Sequence, residues 1–528
     1  MPDNWAISGL DLHLDLGRSG RRAALEQALR AAVQSGRLAP GTLLPPSRAL
    51  AGDLGIARNT VAEAYTQLVA EGWLTARQGS GTRVAGPSPL SPPPSTVSRA
   101  FQHGESTFSA RRVGIPGTAA SGTPGKTPVS TGLRSDAAYD LRAGFPDVAA
   151  FPHGEWLAAA RTSLGRAPSS VYRYPDPQGV PELRSALAAY LARTRGVRAT
   201  PERVVVCGGF GQGLWAVAAA LHRLGARRAG VESHGLPLHR RILTDAGLTL
   251  DGLPVGAAGA ELPSGAIESR ARPSGLPDGG PDGPDGRPGD GSGGSGAGLG
   301  EDLDVALLTP AHQFPLGTAL DAEHRAAFVR WARSCGAVLV EDDYDGEFRY
   351  DRRPLGAMQA LAPDDVVYGG TASKALAPAV GLAWLVVPER LVEPVVAELT
   401  RAGARTAALN QLVLAEFLTS GRYDRHVRRS RLAYRRRRDR LVAALAPTGL
   451  RVHGLPAGLH AVVDLPEGRT EEQAVTEARR RGLAVEGLAA FAVAGHDRAP
   501  ALVVGYASPP AHAFTTALAR LVATLRAL

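Results

Sequence analysis

At 528 residues the chain is too long for one hydrophobic core and implies two or three domains. Its 44% hydrophobic content suits a soluble globular protein, and the absence of an eighteen-residue apolar run argues against a membrane span. The net charge of +9, from 59 basic and 50 acidic residues, is compatible with nucleic acid, although arginine-rich composition alone does not establish it. The opening MPDNWAISGLDLHLDL carries acids where a signal peptide needs a basic region and an apolar core, so the cytoplasm is the expected compartment. Cys207 and Cys335 both sit in apolar surroundings and read as core thiols, with no disulfide or metal site expected.

Leu25, Leu29, Ala32 and Val33 place one apolar face on a helix over Arg21–Ser35. After a loop, Ser47 can cap a short helix, SRALAGDL, and Gly55-Ile56 makes a turn. A further helix over Arg58–Glu71 buries Val61, Tyr65, Leu68 and Val69, leaving Arg58, Asn59 and Thr60 free at its N-terminal end. WLTARQGSGTRVAG then reads as two short strands around a GSG tip. Helix, short helix, turn, helix and hairpin make a winged helix-turn-helix, whose second helix reads base edges in the major groove. Its small wing can enter the minor groove.

The stretch PPSRALAGDLGIARNTVAEAYTQLVAEGWLTARQGSGTRV resembles the DNA-binding domain of the GntR family. The resemblance implies DNA contacts from Arg48, from Arg58, Asn59 and Thr60, and from Gly81 and Thr82 in the wing. The plainer alternative is a small helical protein-interaction domain with solvated arginines. The reader is taken as residues 1–85. Residues 86–138, rich in Pro, Ser, Gly and Thr, read as a flexible linker.

An effector domain is expected over 139–528. YRYPDPQGVPELRSALAAYLARTRGV predicts a turn and then a helix with Leu183, Leu187, Tyr190 and Leu191 inward. VVVCGGFGQGLWAVAAAL predicts a strand, a glycine-rich turn and a helix N-terminus, an arrangement that can cradle a phosphate or serve only as a turn. Residues 256–300, mostly Gly, Ala, Pro, Ser and Asp, can bury nothing and read as a disordered insertion within the domain. DVALLTPAHQFPLG gives another strand, with His312 at its end either contacting a cofactor or holding the turn.

The residues from Gly336 to Pro378 organise the rest. The chain has only two lysines, Lys126 in the linker and Lys374, while arginine supplies every other basic side chain apart from histidine. A primary amine can lose its proton and form an imine with a carbonyl, which a guanidinium cannot do, so a retained lysine points to pyridoxal 5′-phosphate (PLP). Ala337–Glu341 reads as a buried strand with Asp342 at its carboxyl end, and Val366–Tyr368 as a neighbour leading to Lys374. Ligands in open α/β sheets sit beyond the carboxyl ends of strands. There Asp342 can hold a pyridine nitrogen protonated, Tyr344 can hydrogen-bond a phenolic oxygen, and Thr371 and Ser373 can donate to a phosphate. The alternative is a buried Asp–Lys pair with no cofactor, at considerable desolvation cost.

EDDYDGEFRY and VVYGGTASKALAP resemble the aminotransferase-like half of MocR-type regulators, relatives of the fold-type I aminotransferases. The resemblance implies an α/β fold with a large, mostly parallel sheet and a small C-terminal α+β subdomain, taken as 421–528. It also implies Lys374 as the imine lysine, Gly209, Phe210 and Gly211 at the cofactor phosphate, and a homodimer. The basic helix GRYDRHVRRSRLAYRRRRDRL is then the link between subdomains, its arginines largely solvated.

Four departures from that pattern stand out. Gly381 stands where an arginine pairs with the phosphate, and Leu236 where an aromatic residue stacks on the ring. Gly208 and Gly211 replace polar residues, and ALVVGYA lacks the arginine that clamps a substrate carboxylate, Arg498 being the nearest. Efficient transamination is therefore not expected. The sequence reads as a PLP-responsive, DNA-binding regulator of vitamin B6 synthesis, in the manner of PdxR-like members. The alternatives are a working aminotransferase with a DNA reader, a regulator sensing an amino acid, and a dimeric DNA-binding protein that has lost PLP.

Overall fold

The computed structural model describes residues 21–34, 38, 41–54, 56–70, 74–77, 81–84, 137–263, 303–350 and 355–528. Gly79 and Ser80 of the expected GSG tip, nearly all of the 86–138 linker and most of the 256–300 insertion lie outside them.

In the N-terminal unit, α1 (Arg21–Gln34), α2 (Ser47–Leu54) and α3 (Arg58–Ala70) precede a hairpin of β1 (Leu74–Arg77) and β2 (Gly81–Val84). Helical spacing decides the packing: Leu25, Leu29 and Ala32 of α1 meet Val61, Ala64, Tyr65 and Leu68 of α3 in one core. Each fully buried leucine contributes roughly 1.5–3 kcal/mol. The Tyr65 hydroxyl donates to the Pro45 carbonyl (2.8 Å), so the one polar atom of that face is satisfied. Gly81 sits at φ +80°, and a Cβ there would meet the Leu43 side chain at 2.9 Å, so the wing strand needs glycine at its start.

The second region is built on a seven-stranded sheet. Its strands are β3 (Val204–Cys207), β4 (Arg228–Glu232), β5 (Thr249–Leu253), β6 (Val305–Leu308), β7 (Val338–Asp342), β8 (Val366–Thr371) and β9 (Ala383–Val386). Their order is β3-β9-β8-β7-β6-β4-β5, and β9 alone runs antiparallel to its neighbours. All residues of β3, β6, β7, β8 and β9 are buried, as expected of strands covered on both faces.

A smaller sheet, in the order β10-β11-β13-β12, joins β10 (Val452–His453), β11 (His460–Asp464), β12 (Glu486–Gly487) and β13 (Ala501–Gly505). The basic helix Arg422–Leu445 precedes it.

Two expectations need correction. The composition of 256–300 suggested nothing to bury, yet a hairpin forms at its start, Val255–Gly256 against Gly259–Ala260. Val255 and Ala260 are buried, and the Asp321 N–H donates to the Ala258 carbonyl, so backbone pairing compensates for the poor side chains. The basic helix is not simply a solvated face. Arg437 is buried, donating to Asp147 at 2.6 Å and to the Ala507 and Pro509 carbonyls. Arg431 donates to the Glu347 carbonyl and Arg438 to that of Gly454.

Candidate functional site

The carboxyl ends of β3, β4, β6, β7 and β8 deliver their loops to one edge of the sheet. β7 and β8 are parallel neighbours, with Asp342 in register with Gly369. Both strands therefore release their chains side by side, β7 into Asp343–Asp345 and β8 through Thr371 to Lys374. The Lys374 ammonium donates to the Gly144 carbonyl at 2.6 Å. Burial lowers its pKa against the opposing pull of Asp342 and Asp345, which favours the neutral, nucleophilic amine.

Burial is likewise the main reason that the Asp342 carboxyl lies well above its usual range, with Lys374 pulling the other way and Asp343 and Asp345 pushing it higher. Its carboxylate neighbours are satisfied elsewhere. Asp343 takes a bidentate bond from buried Arg195 (2.6 and 2.9 Å) and a third from the Tyr368 hydroxyl (2.7 Å). Asp345 accepts from His312 Nδ1 at 2.8 Å, and from Tyr344, whose phenol is raised mainly by burial. Asp342 faces Lys374 and, at 3.7 Å, His239 Nδ1. His239 is held neutral, its pKa pushed down to about 4 by burial and then by Lys374. A further cation against Asp342, such as a protonated pyridine nitrogen, would relieve this shortage of positive charge.

The turn after β3 is glycine-rich and opens a helix. Gly209 leads into the helix α4 (Phe210–Arg223), and the Gly208 N–H is taken by the Gln212 side chain at 2.7 Å. The Phe210 ring lies flush against β8: a Cβ on Gly369 would fall 2.3 Å from a ring carbon, so the close approach requires glycine. Phe210 also meets the His239 ring edge-on, with centroids 5.2 Å apart. Leu236 instead packs into the cluster of Phe314, Tyr344 and Phe491. Thr371 spends its oxygen locally, accepting from the Ser373 N–H (3.1 Å) and bonding the Ser373 hydroxyl (3.0 Å). Gly381 adopts φ +63°, a backbone in which an arginine would be strained, and a Cβ there would lie 3.9 Å from the Gly208 carbonyl.

The structure thus gathers Lys374, Asp342, Phe210 and, through Asp345, Tyr344 and His312 around the ends of β7 and β8. His312 both holds the turn, through Asp345, and lies 3.1 Å from the Tyr344 hydroxyl. Sequence reasoning missed His239, Asp345 and the Arg195–Asp343 pair. The one signal for His239 is its place in the first turn of the helix Pro237–Asp245, just after Leu236. In the N-terminal unit, Arg48, Arg58, Asn59 and Gly81 are exposed, with Thr60 and Thr82 half-buried, so the helix start and the wing strand are open to a ligand.

Two family models match the chain: the gntR family of bacterial regulatory proteins over residues 21–84, and aminotransferase class I and II over 140–255 and 303–501. The HTH-type pyridoxine biosynthesis transcriptional regulator PdxR of Corynebacterium glutamicum is 31% identical over 471 residues, 88% of each chain. The probable rhizopine catabolism regulatory protein MocR of Rhizobium meliloti is 31% identical over 421 residues, 79% of this chain and 76% of that one. An archaeal alanine:glyoxylate aminotransferase superposes with a TM-score of 0.61 at 20% identity, covering 74% of this chain and 91% of the other, a likeness of fold.

Proposed function

The chain belongs to the GntR family of bacterial regulators, in its MocR branch, and from that footing we propose a transcriptional regulator that responds to PLP held on Lys374. The observation that carries the reading is the pairing of Lys374 with Asp342 on adjacent strand ends, an amine with lowered pKa beside a carboxyl short of positive charge.

When bound, PLP supplies an aldehyde that a neutral amine captures reversibly. The chain's own residues do the rest. Burial keeps the Lys374 amine ready to lose its proton, with the Gly144 carbonyl orienting it. Asp342 would accept a hydrogen bond from the pyridine nitrogen, and neutral His239 bounds that carboxyl from the other side without adding charge. The α4 N-terminus, Gly209 to Gly211, would face the phosphate with backbone N–H groups and the helix dipole. With Gly381 in place of an arginine, this seat lacks a fixed cation at that position, consistent with reversible loading by a sensor. Tyr344 would donate to the phenolic oxygen, in competition with Asp345.

Arg58, Asn59 and Thr60 would meet base edges in the major groove, with Arg48 on phosphate and Gly81 and Thr82 at the minor groove. A homodimer would present two such readers to paired half-sites. Because ALVVGYA carries no arginine for a substrate carboxylate, PLP itself is the effector in this reading, and synthesis of vitamin B6 the process controlled. The name of the Corynebacterium relative supports that assignment.

Gly381 and Leu236 favour one rival, a dimeric DNA-binding protein that no longer holds the cofactor. Fluorescence anisotropy of DNA from upstream of the PLP-synthesis genes, with and without PLP, separates the two. An affinity that moves with PLP supports the sensor; operator binding indifferent to PLP supports the rival.

A further inference from the structure

Away from Lys374, a cavity of about 490 Å³ opens between the Val255–Ala260 hairpin, the turn after β6 and the small sheet. That volume is within the range of small-molecule sites. Leu316, Val462, Leu488 and Ala501 give it an apolar floor. The pairing of Asp464 with Ala501, and of Val462 with Val503, puts Val462, Asp464 and Ala501 on one face of the sheet. Polar groups of both signs line the same cavity. Arg498 is anchored through a hydrogen bond to the Val255 carbonyl, and Asp464 receives His453 Nε2 at 2.6 Å. A carboxylate has about four lone-pair sites, so Asp464 keeps capacity for an ammonium group. Thr318 also lines the cavity, although its hydroxyl oxygen is itself buried and presents no surface there.

An arginine and a carboxylate beside an apolar floor complement a zwitterion with an apolar tail. We propose that this cavity is a second small-molecule site, taking an α-amino acid of the leucine type. Arg498 would receive its carboxylate, Asp464 its ammonium group, and Leu316, Val462 and Leu488 its side chain. The site contains neither Lys374 nor Asp342, so it stands whether or not PLP binds. It shares a wall with the lysine pocket all the same. Leu316 and Thr318 belong to the turn that carries His312, closed by the Gln313 N–H donating to the Thr318 carbonyl at 2.7 Å. A ligand there would therefore press on the same turn that positions His312 and Tyr344.

The test is isothermal titration calorimetry of the full chain with L-leucine, 4-methylpentanoate and 3-methylbutylamine, which carry both charges, the carboxylate alone and the ammonium alone. Saturable binding of L-leucine is expected, with each half-ligand weaker by about tenfold or more, as for the loss of a charge-assisted bond. Arg498→Gln should weaken L-leucine by a similar factor, and Lys374→Ala should leave it unchanged. Thermal melts of each variant confirm folding. The proposal is overturned if L-leucine gives no saturable heat or if 4-methylpentanoate binds equally well. It is also overturned if Lys374→Ala abolishes binding while Arg498→Gln spares it, which would put the ligand in the lysine pocket.

Discussion

Replacing Arg195 by methionine tests whether the end of β7 is held by a buried ion pair. The Arg195 guanidinium grips both oxygens of Asp343 at 2.6 and 2.9 Å, and both side chains are nearly inaccessible, at 6% and 1% of full exposure. It also donates to the Leu355 carbonyl at 3.0 Å. Removing one partner of such a pair costs about 3–5 kcal/mol, because the other is left buried and uncompensated. The Tyr368 hydroxyl still donates to Asp343, which places the expected loss near the lower end, about 3 kcal/mol. Replacing both members, Arg195→Met with Asp343→Leu, leaves no orphaned charge and should recover at least about 2 kcal/mol of that loss. Urea denaturation of the wild type, both single variants and the double variant measures all of these from midpoint and slope. If the double variant loses the sum of the two single losses, the pair is not coupled and the argument fails.

Other consequences are as direct. His239 folds neutral with a pKa of about 4, against about 6.5 when unfolded, so below pH 6.5 the unfolded state binds the extra proton. Its share of stability is lost as pH falls from 6.5 to 4; the unfolding free energy of the wild type, from urea denaturation, should fall by about 3 kcal/mol more than that of His239→Gln over that window. Parallel acid sensitivity in the two proteins would contradict this. Arg58→Ala should weaken operator binding by about 1–3 kcal/mol if the side chain reaches a base edge, and do so unequally across operator variants. A uniform loss with a salt slope smaller by about one would make it a phosphate contact instead. Gly369→Ala forces a methyl group into the Phe210 ring and should depress thermal stability, with Phe210→Leu in the same chain restoring part of the loss.

Much of this organisation is visible in the residues themselves. Apolar runs ending in acid or in Gly-Gly-Thr mark β7 and β8, because a parallel strand buried on both faces leaves an unbroken hydrophobic signature. Leu25 and Leu29, and Val61, Tyr65 and Leu68, mark α1 and α3 by helical period. What escapes is long-range or depends on an unusual side-chain path. Arg195 and Asp343 are 148 positions apart, and nothing local to either announces the other. Phe210 occupies a turn read for its backbone, yet its ring meets Gly369 on a different strand. Arg437 sits among exposed arginines with the same composition, and only the fold turns it toward Asp147. The Val255–Ala260 hairpin forms in a stretch whose composition resembles the segment after it.

The central claim is that PLP is held by Lys374 opposite Asp342. It is tested most directly by the visible absorption spectrum of the purified protein titrated with PLP, for the wild type, Lys374→Ala and Asp342→Asn. The account predicts a saturable band shifted from that of free PLP in the wild type. That band should be absent in Lys374→Ala, and weakened or displaced in Asp342→Asn. A wild-type spectrum identical to that of free PLP, or an unchanged band in Lys374→Ala, would contradict it.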